Sequence, residues 1–200
     1  MARTRAADFE EKQQAILVNA AAVFAELGTK KASMEQIAER SKVSKALLYH
    51  YYSSKNALIF DIIHSHLVEL ADSLEQALEN NKDLPPQQRL RIAVHQILDC
   101  YRDADDKHKV QLSYSASLPA KQKAEIQLIE RRIVQAVSGV ILEIAPTLND
   151  RKPLLKPVTM SLFGMLNWVY MWFRPDGAVS REEYADIATT LILGGVKEIH

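Results

Sequence analysis

The sequence predicts an all-α protein. Apolar residues recur every three or four positions in nearly every segment, no segment alternates with the two-residue period of a strand, and prolines and glycines fall mainly between the apolar stripes. The chain has 200 residues, of which 48% are hydrophobic and 25% are charged, a composition that can bury an ordinary core and is not typical of disorder. One or two helical domains are therefore expected.

The predicted helices are separated by recognisable start and stop signals. The first helix ends at Gly28, a residue type that is common just beyond a helix end. Pro146 closes a later helix, and Ser180 with Glu183 three residues on forms a capping box at the start of the last one. The apolar stripes that follow the first helix begin at Ile59, Leu90, Ile126, Val158 and Tyr184.

The segment Val158–Phe173 is apolar on almost every side. It is too short to cross a bilayer, so we expect a helix that is covered by protein on all sides. Burial within one subunit and contact with a partner subunit both satisfy this requirement, and the sequence leaves the two open.

The most informative pattern lies between Ser33 and Tyr52, where two short helices each have their own start signal. Ser33 with Gln36 forms a capping box for the first helix, Ser41-Lys42 makes the turn, and Ser44 caps the second helix. Two helices joined by a three- to four-residue turn are typical of a helix-turn-helix, which places its second helix in the major groove of DNA.

The residue types in and around this motif suit DNA. Lys45 and Ala46 stand in the first turn of the second helix, where a lysine can hydrogen-bond guanine and an alanine methyl can touch thymine. Tyrosine hydroxyls and histidine imidazoles commonly reach phosphates, and an arginine-bearing arm before the first helix can enter a minor groove. The candidate DNA-binding residues are Ser33, Ser44, Lys45, Ala46, Tyr49, His50, Tyr51, Lys55, Arg3 and Arg5.

Several of these residues also have ordinary structural interpretations. His50, Arg3 and Arg5 can be solvated, Tyr49 can be partly buried, and Tyr52 is interpreted as a core residue. The net charge of the whole chain is zero, and residues 1–55 carry nine lysines and arginines against six acids, a small excess that fits a phosphate-bearing partner at one end.

The remaining composition points away from metal and disulfide chemistry. Cys100 is the single cysteine, so no internal disulfide is possible, and its spacing of five from His95 is poor for metal ligands. The first residues lack the apolar segment of a signal peptide, and a cytoplasmic location is expected. No metal, no other cofactor and no membrane partner are expected.

Residues from about Phe9 to Leu70 resemble the DNA-binding domain of the TetR family. The resemblance rests on residues 16–28 and 34–38, on Val43-Ser-Lys and Leu48-Tyr-His-Tyr, and on the segment Ser54–Leu58. The chain departs from the family pattern at Lys42, where glycine is usual, at Ala46-Leu47, where Gly-Thr is usual, and at Tyr52, where phenylalanine is usual. A non-glycine residue in the turn is strained if its backbone is left-handed.

The resemblance implies a helix-turn-helix domain over 9–70, with its motif at about 33–52, and an effector-binding and dimerisation domain over 71–200. It implies a homodimer formed through about 154–199, bound to a double-stranded DNA operator. The expected function is a transcription regulator, more specifically a repressor that a small hydrophobic effector releases from the operator, which requires different effector affinities in the two states.

The segment Asn167–Gly177 resembles the tail of a TetR subgroup that responds to acyl-CoA. An acyl-CoA effector is therefore one hypothesis, and the alternative is that Trp168 and Trp172 are interface or core aromatics. The candidate ligand-binding residues are Tyr101, Tyr114, Phe163, Asn167, Trp168, Met171, Trp172 and Arg174.

Two other classes of function are weighed against this hypothesis. The sequence has no Gly-rich phosphate loop, no His-Glu-x-x-His and no Gly-x-Ser-x-Gly motif, so an enzyme is not expected. A helical dimer that acts through protein contacts would leave Lys45 and Lys55 without a purpose. Steep salt dependence would distinguish DNA binding from such contacts.

Overall fold

The structure is a computed structural model that describes residues 2–102, 104–113, 118–150 and 153–199, with side chains from Phe9 onward. These residues form α-helices, one short 3₁₀ helix and no strand. The helices are α1 (Ala2–Leu27), α2 (Met34–Arg40), α3 (Lys45–Tyr51), α4 (Lys55–Asn80), α5 (Pro86–Cys100), α6 (Asp105–Ser113), α7 (Ala120–Ile144), the 3₁₀ helix (Pro146–Asn149), α8 (Leu155–Asn167), α9 (Val169–Trp172) and α10 (Arg181–Gly195).

The all-α prediction is confirmed, and the predicted helix ends have the expected causes. Gly28 follows α1 with a φ of +80°, and its amide donates to the carbonyl of Phe24 at 2.9 Å. At the start of α10, the Glu183 amide donates to Ser180 Oγ at 3.1 Å, and the Ser180 amide donates to the Glu183 carboxylate at 2.7 Å. Both capping groups satisfy backbone atoms that the helix itself leaves unpaired.

Two expectations about helix limits need correction. The helical backbone of α1 begins at Ala2, so Arg3 and Arg5 belong to the helix and not to an arm ahead of it; the run of alanine, arginine, glutamate and lysine there favours helix. The apolar segment Val158–Phe173 is interrupted at Trp168, where α8 ends and the short α9 begins.

The chain divides into two compact units. The first contains Met1–Leu67 together with Ala104–Gln127, and the second contains Val68–Asp103 together with Leu128–His200. In the first unit, α1 packs against α2 and α6. Its core consists of fully buried aliphatic and aromatic side chains, among them Ile16, Phe24, Ile37, Leu48, Leu58, Ile62 and Ile63.

The second unit is organised around α5, which packs against α8 and α10. Leu90, Val94 and Ile97 give α5 a fully buried face. Polar contacts reinforce the pair of α5 and α10: Arg102 contacts Glu182 at 2.6 Å, and both Arg91 and His95 contact Asp186. The hydrogen bond from Arg102 lowers the pKa of Glu182 to about 2. None of the described helices is long and apolar enough to cross a membrane.

The first unit buries two histidines beside each other. His66 on α4 and His108 on α6 are each 2% exposed, and their ring centroids lie 6.2 Å apart. Burial, together with the positive charges that His108 and Lys107 can carry, lowers the pKa of His66 to about 4. A buried imidazole that resists protonation makes the stability of this unit sensitive to acid.

We expect the free energy of unfolding to fall as the pH is lowered from about 6.5 to about 4. In that range the unfolded chain takes up a proton on residue 66 that the folded chain does not, and the difference between the two pKa values corresponds to about 3 kcal/mol. Urea denaturation at a series of pH values measures the slope. His66→Leu should flatten it, whereas His50→Gln, which removes an exposed imidazole, should not; equal slopes in wild type and His66→Leu would contradict the assignment.

Candidate nucleic-acid interface

The helix-turn-helix begins with the capping box that its sequence predicts. The backbone amide of Gln36 donates to Ser33 Oγ at 3.3 Å, and the backbone amide of Ser33 donates to Gln36 Oε1 at 2.9 Å. Ile37 and Ala38 are buried on the inner side of α2. The cap and this inner face together hold a seven-residue helix that would not be stable alone.

The turn after α2 closes with two hydrogen bonds in the Schellman pattern. The Val43 amide donates to the Ala38 carbonyl and the Lys42 amide donates to the Glu39 carbonyl, both at 3.0 Å. Lys42 occupies the position where glycine is favoured, and its φ is +54°. The expected strain at this departure from the family pattern is therefore present in the backbone.

The second helix of the motif, α3, presents most of its side chains to solvent. The Leu47 amide donates to Ser44 Oγ at 3.1 Å, which confirms the predicted cap. Leu48 is fully buried and holds the helix to the core. The candidate residues on the outer face of α3, namely Lys45, Ala46, Tyr49 and His50, are all exposed.

The aromatic residues at the end of α3 have different environments. Tyr49 is 44% exposed, whereas Tyr52 is only 5% exposed, which confirms the core interpretation of Tyr52. Tyr51 is half-buried because its ring stacks on Phe9 of α1, with the ring centroids 4.5 Å apart. His50 packs its ring edge toward Tyr51 at a centroid distance of 6.0 Å.

Lys45 is held by an ion pair that the sequence pattern did not predict. Its ammonium contacts the carboxylate of Glu35 on α2, and its Nζ lies 6.0 Å from the centre of the Tyr49 ring. The hydrogen bond with Lys45 lowers the pKa of Glu35, and the same contact raises the pKa of Lys45. The ammonium of Lys45 therefore stays charged beside Glu35 on this exposed surface.

Lys55 has a defined structural contact. Its Nζ donates to the carbonyls of Lys30 and Ala32, at 3.1 and 3.0 Å, in the loop between α1 and α2. An ammonium carries three donors, so this arrangement uses two of them. Lys55 thus shapes the loop that leads into the helix-turn-helix, a role that only the folded chain reveals.

Three of the candidate site residues lack a described side chain. The side chains of Arg3 and Arg5 lie outside the described residues, although their backbone is helical. Tyr114 lies wholly outside the described residues. Their predicted contacts with DNA and effector remain expectations from the sequence.

The candidate ligand-binding residues of the second unit divide into buried and exposed groups. The Tyr101 hydroxyl donates to Asn167 Oδ1 at 2.8 Å, and Tyr101 and Phe163 are each 5% exposed. Burial raises the pKa of Tyr101, which keeps its hydroxyl a donor. The exposed group consists of Trp168, Met171, Trp172 and Arg174.

A cavity of about 280 Å³ is lined by residues close to this exposed group in sequence and by Arg102, none of which the sequence pattern proposed as a ligand-binding residue. Phe173, Ser180 and Arg181 contribute to its lining. The Arg181 guanidinium carbon lies 4.8 Å from the centre of the Phe173 ring, and Arg102 and Glu182 complete a charged rim. Arg102 is distant in sequence from the other lining residues, which fall between Phe173 and Glu182, so a periodicity argument had no signal for their meeting.

Comparison with known proteins agrees with this geometry. The family model "Bacterial regulatory proteins, tetR family" matches residues 16–62, and the model "Tetracyclin repressor-like, C-terminal domain" matches residues 83–196. A TetR-family transcriptional regulator from Bordetella parapertussis 12822 is 31% identical, with a TM-score of 0.85 over 94% of this chain and 97% of that chain. The chain therefore belongs to the TetR family of DNA-binding transcriptional regulators, and it is not an enzyme.

Two further relatives carry more specific descriptions. AibR, whose structure was determined in complex with isovaleryl coenzyme A and operator DNA, is 25% identical, with a TM-score of 0.75 over 90% of this chain and 97% of AibR. The HTH-type transcriptional activator FasR of Mycolicibacterium smegmatis is 37% identical over 90 residues. That match spans 45% of this chain and 40% of FasR.

We expect Lys42→Gly to stabilise the protein by about 1 kcal/mol, because glycine adopts a positive φ without the steric cost that a Cβ imposes. The free energy of unfolding from urea denaturation measures this change. Lys42→Ala is the matched control: it removes the same charged side chain but keeps the Cβ, so it should give no comparable gain. Equal stabilisation by both variants would attribute the effect to charge and not to the backbone.

Proposed function

We propose that the protein is a homodimeric regulator that inserts α3 into the major groove of an operator and is released from DNA by a small hydrophobic effector. The observation that carries this proposal is the capped helix α3, whose outer face is exposed while Leu48 holds it to the core. A helix presented in this way has the form that reads base edges in helix-turn-helix proteins. Such a protein would act in the cytoplasm, where the operator DNA lies.

The proposed contacts divide into base readout and phosphate binding. Lys45 and Ala46 are exposed in the first turn of α3 and are assigned to base edges. The outer polar groups are assigned to phosphates, which fix register and not sequence. This second set consists of Ser33, Ser44, Tyr49, His50, Tyr51 and Lys55. Arg3 and Arg5 are assigned to an adjacent minor groove.

We propose an acyl-CoA as the effector class to test first. Support comes from AibR, which was crystallised with isovaleryl coenzyme A, and from the resemblance of Asn167–Gly177 to the acyl-CoA-responsive tail. In the second unit, Tyr101 and Phe163 are buried, and the Tyr101 hydroxyl donates to the side chain of the half-buried Asn167. Ligand sites in proteins commonly combine apolar side chains with a few oriented polar groups of this type.

The direction of regulation is a separate part of the proposal. Release of the operator by the effector would make the protein a repressor, whereas the relative FasR is named an activator. A promoter fused to a reporter gene, measured with and without the regulator, distinguishes the two directions. Expression that rises when the regulator is deleted would support repression, and expression that falls would support activation.

We propose dimerisation through about 154–199 because this part of the chain exposes large apolar side chains. Trp168, Ile187 and Leu191 are 57%, 46% and 60% exposed. Exposed glycines on α8 and α10, Gly164 and Gly194, would allow close approach of a partner helix. Apolar patches of this extent on soluble proteins commonly mark contact surfaces.

The DNA and effector parts are tested by a mobility shift on DNA flanking the protein's own gene, at graded salt, with an acyl-CoA panel that includes isovaleryl-CoA. We expect a shift that weakens steeply with salt and that one acyl-CoA abolishes while free CoA and the free acid do not. Lys45→Ala should weaken binding about tenfold or more, through loss of a base contact.

The possible failures of this assay point to different conclusions. A shift that no acyl-CoA affects would reject the effector class and keep the regulator. A further outcome is that the protein binds neither the flanking DNA nor any fragment in a selection from genomic DNA, at any salt concentration. In that case the alternative of a helical dimer acting through protein contacts would replace the DNA-binding proposal.

We expect Leu191→Glu to convert the dimer into a monomer, because a buried unpaired carboxylate at the interface is strongly unfavourable. Sedimentation measures the change from twice the chain mass to the single-chain mass of 22.6 kDa. Leu128→Glu on α7 is the matched control, since Leu128 is 59% exposed and lies outside the proposed interface. A dimer that persists in Leu191→Glu would contradict the proposed surface.

A further inference from the structure

The recognition helix α3 has very little apolar contact with the rest of the first unit. Of its seven residues, only Leu48 is buried. Leu48 and the stacking of Tyr51 on Phe9 set how closely the helix lies on the core, but apolar contacts are non-directional and fix rotation about the helix axis only loosely. Something else must set the direction in which Lys45 and Ala46 point.

Tyr52, directly after α3, supplies a directional contact. Its backbone amide donates to the Leu48 carbonyl at 2.9 Å, so Tyr52 is the C-cap of α3, although its own backbone is extended. Its hydroxyl donates to Asp61 Oδ2 on α4 at 2.6 Å and accepts from Gln13 Nε2 on α1 at 3.1 Å. The side-chain nitrogen Nε2 of Gln13 also lies 3.4 Å from the same Asp61 oxygen. One hydroxyl thereby joins the end of α3 to two other helices.

The direction of the hydrogen bond between Tyr52 and Asp61 is fixed by the protonation of the Tyr52 hydroxyl. Burial raises the pKa of Tyr52, and the hydrogen bond to Asp61 raises it further, so the hydroxyl stays protonated and donates. Hydrogen bonds to charged acceptors are stronger and shorter than neutral ones. Tyr52 is 5% exposed and its hydroxyl has two hydrogen-bond partners, so both packing and hydrogen bonds limit the movement of the hydroxyl.

We propose that Tyr52 is a positioning residue for DNA recognition: its hydroxyl, held by Asp61 and Gln13, sets the rotation of α3 and thereby the placement of its base-reading side chains. At the roughly 5 Å radius of a helix with side chains, a rotation of about 15° moves an atom by about 1.3 Å. Hydrogen bonds to base edges do not tolerate a displacement of that size.

The test uses Tyr52→Phe, which keeps the ring and removes only the hydroxyl. The probes are the tightest duplex that the wild-type protein selects from a random library and a scrambled duplex of the same composition. We expect affinity for the selected duplex to fall about tenfold and affinity for the scrambled duplex to change by less than about twofold. Loss of the specificity ratio separates positioning from a general loss of folded protein, which lowers both affinities equally.

A double-mutant cycle tests whether Tyr52 and Asp61 act together. If they do, Asp61→Ala combined with Tyr52→Phe should lower specific affinity by about the same tenfold as either single variant and not by about a hundredfold. Asp61→Asn keeps a side-chain oxygen that accepts from Tyr52, so it should restore affinity to within about threefold of wild type. Ser65→Ala, which removes a hydroxyl bonded only within α4, is the matched control and should leave both affinities unchanged.

Thermal unfolding followed by circular dichroism confirms that each variant is folded at the assay temperature. An unchanged specificity ratio in Tyr52→Phe, an equal loss on both duplexes, or multiplicative losses in the double variant would each overturn the proposal. If Tyr52→Phe does not fold, Asp61→Ala against Asp61→Asn decides the question in the same way, because a positioning role requires the two to differ in specificity.

Discussion

The seven-residue helix α3 depends on contacts made by neighbouring helices, because a helix of two turns has too few internal hydrogen bonds to persist alone. Leu48 supplies the apolar contact, Tyr51 stacks on Phe9 of α1, and Tyr52 bonds to α1 and α4. The exposed face that would meet DNA is thus rigid because its opposite face is attached at several points. The loop before α2 is likewise held by a contact from another helix, because Lys55 of α4 donates to two of its carbonyls.

The outer surface of the helix-turn-helix carries an exposed ion pair between Lys45 and Glu35. Lys45 contacts Glu35 in the free protein, so a negative group already occupies the place where a base or phosphate would come. Solvent-exposed ion pairs contribute little net stability, so the exchange that the proposed DNA contact of Lys45 requires would cost little free energy. The second unit uses charge differently: Arg102 with Glu182, and Arg91 with Asp186, join α5 to α10 and reinforce a contact that apolar burial already makes.

Much of the helix-turn-helix, and the start of α10, could be predicted from residues close in sequence. The capping boxes at Ser33 and Ser180, the glycine after α1 and the cap at Ser44 all follow from interactions within three or four positions. The contacts that sequence reasoning missed join residues far apart, such as Lys55 with Ala32 and Tyr52 with Gln13. The interruption at Trp168 also escaped prediction, since the apolar stripe continues through it.

The sequence by itself determined the fold class, the helix-turn-helix and its caps, because these rest on hydrophobic periodicity and on local hydrogen bonds between near neighbours. It also located the strained position Lys42, whose left-handed backbone is a property of the local turn. Only the tertiary structure decided which polar groups meet: the Glu35 and Lys45 pair, the Tyr52 cluster, and the buried histidines of α4 and α6. Those contacts depend on how separate helices pack against one another. The spacing of residues along the chain does not predict that packing.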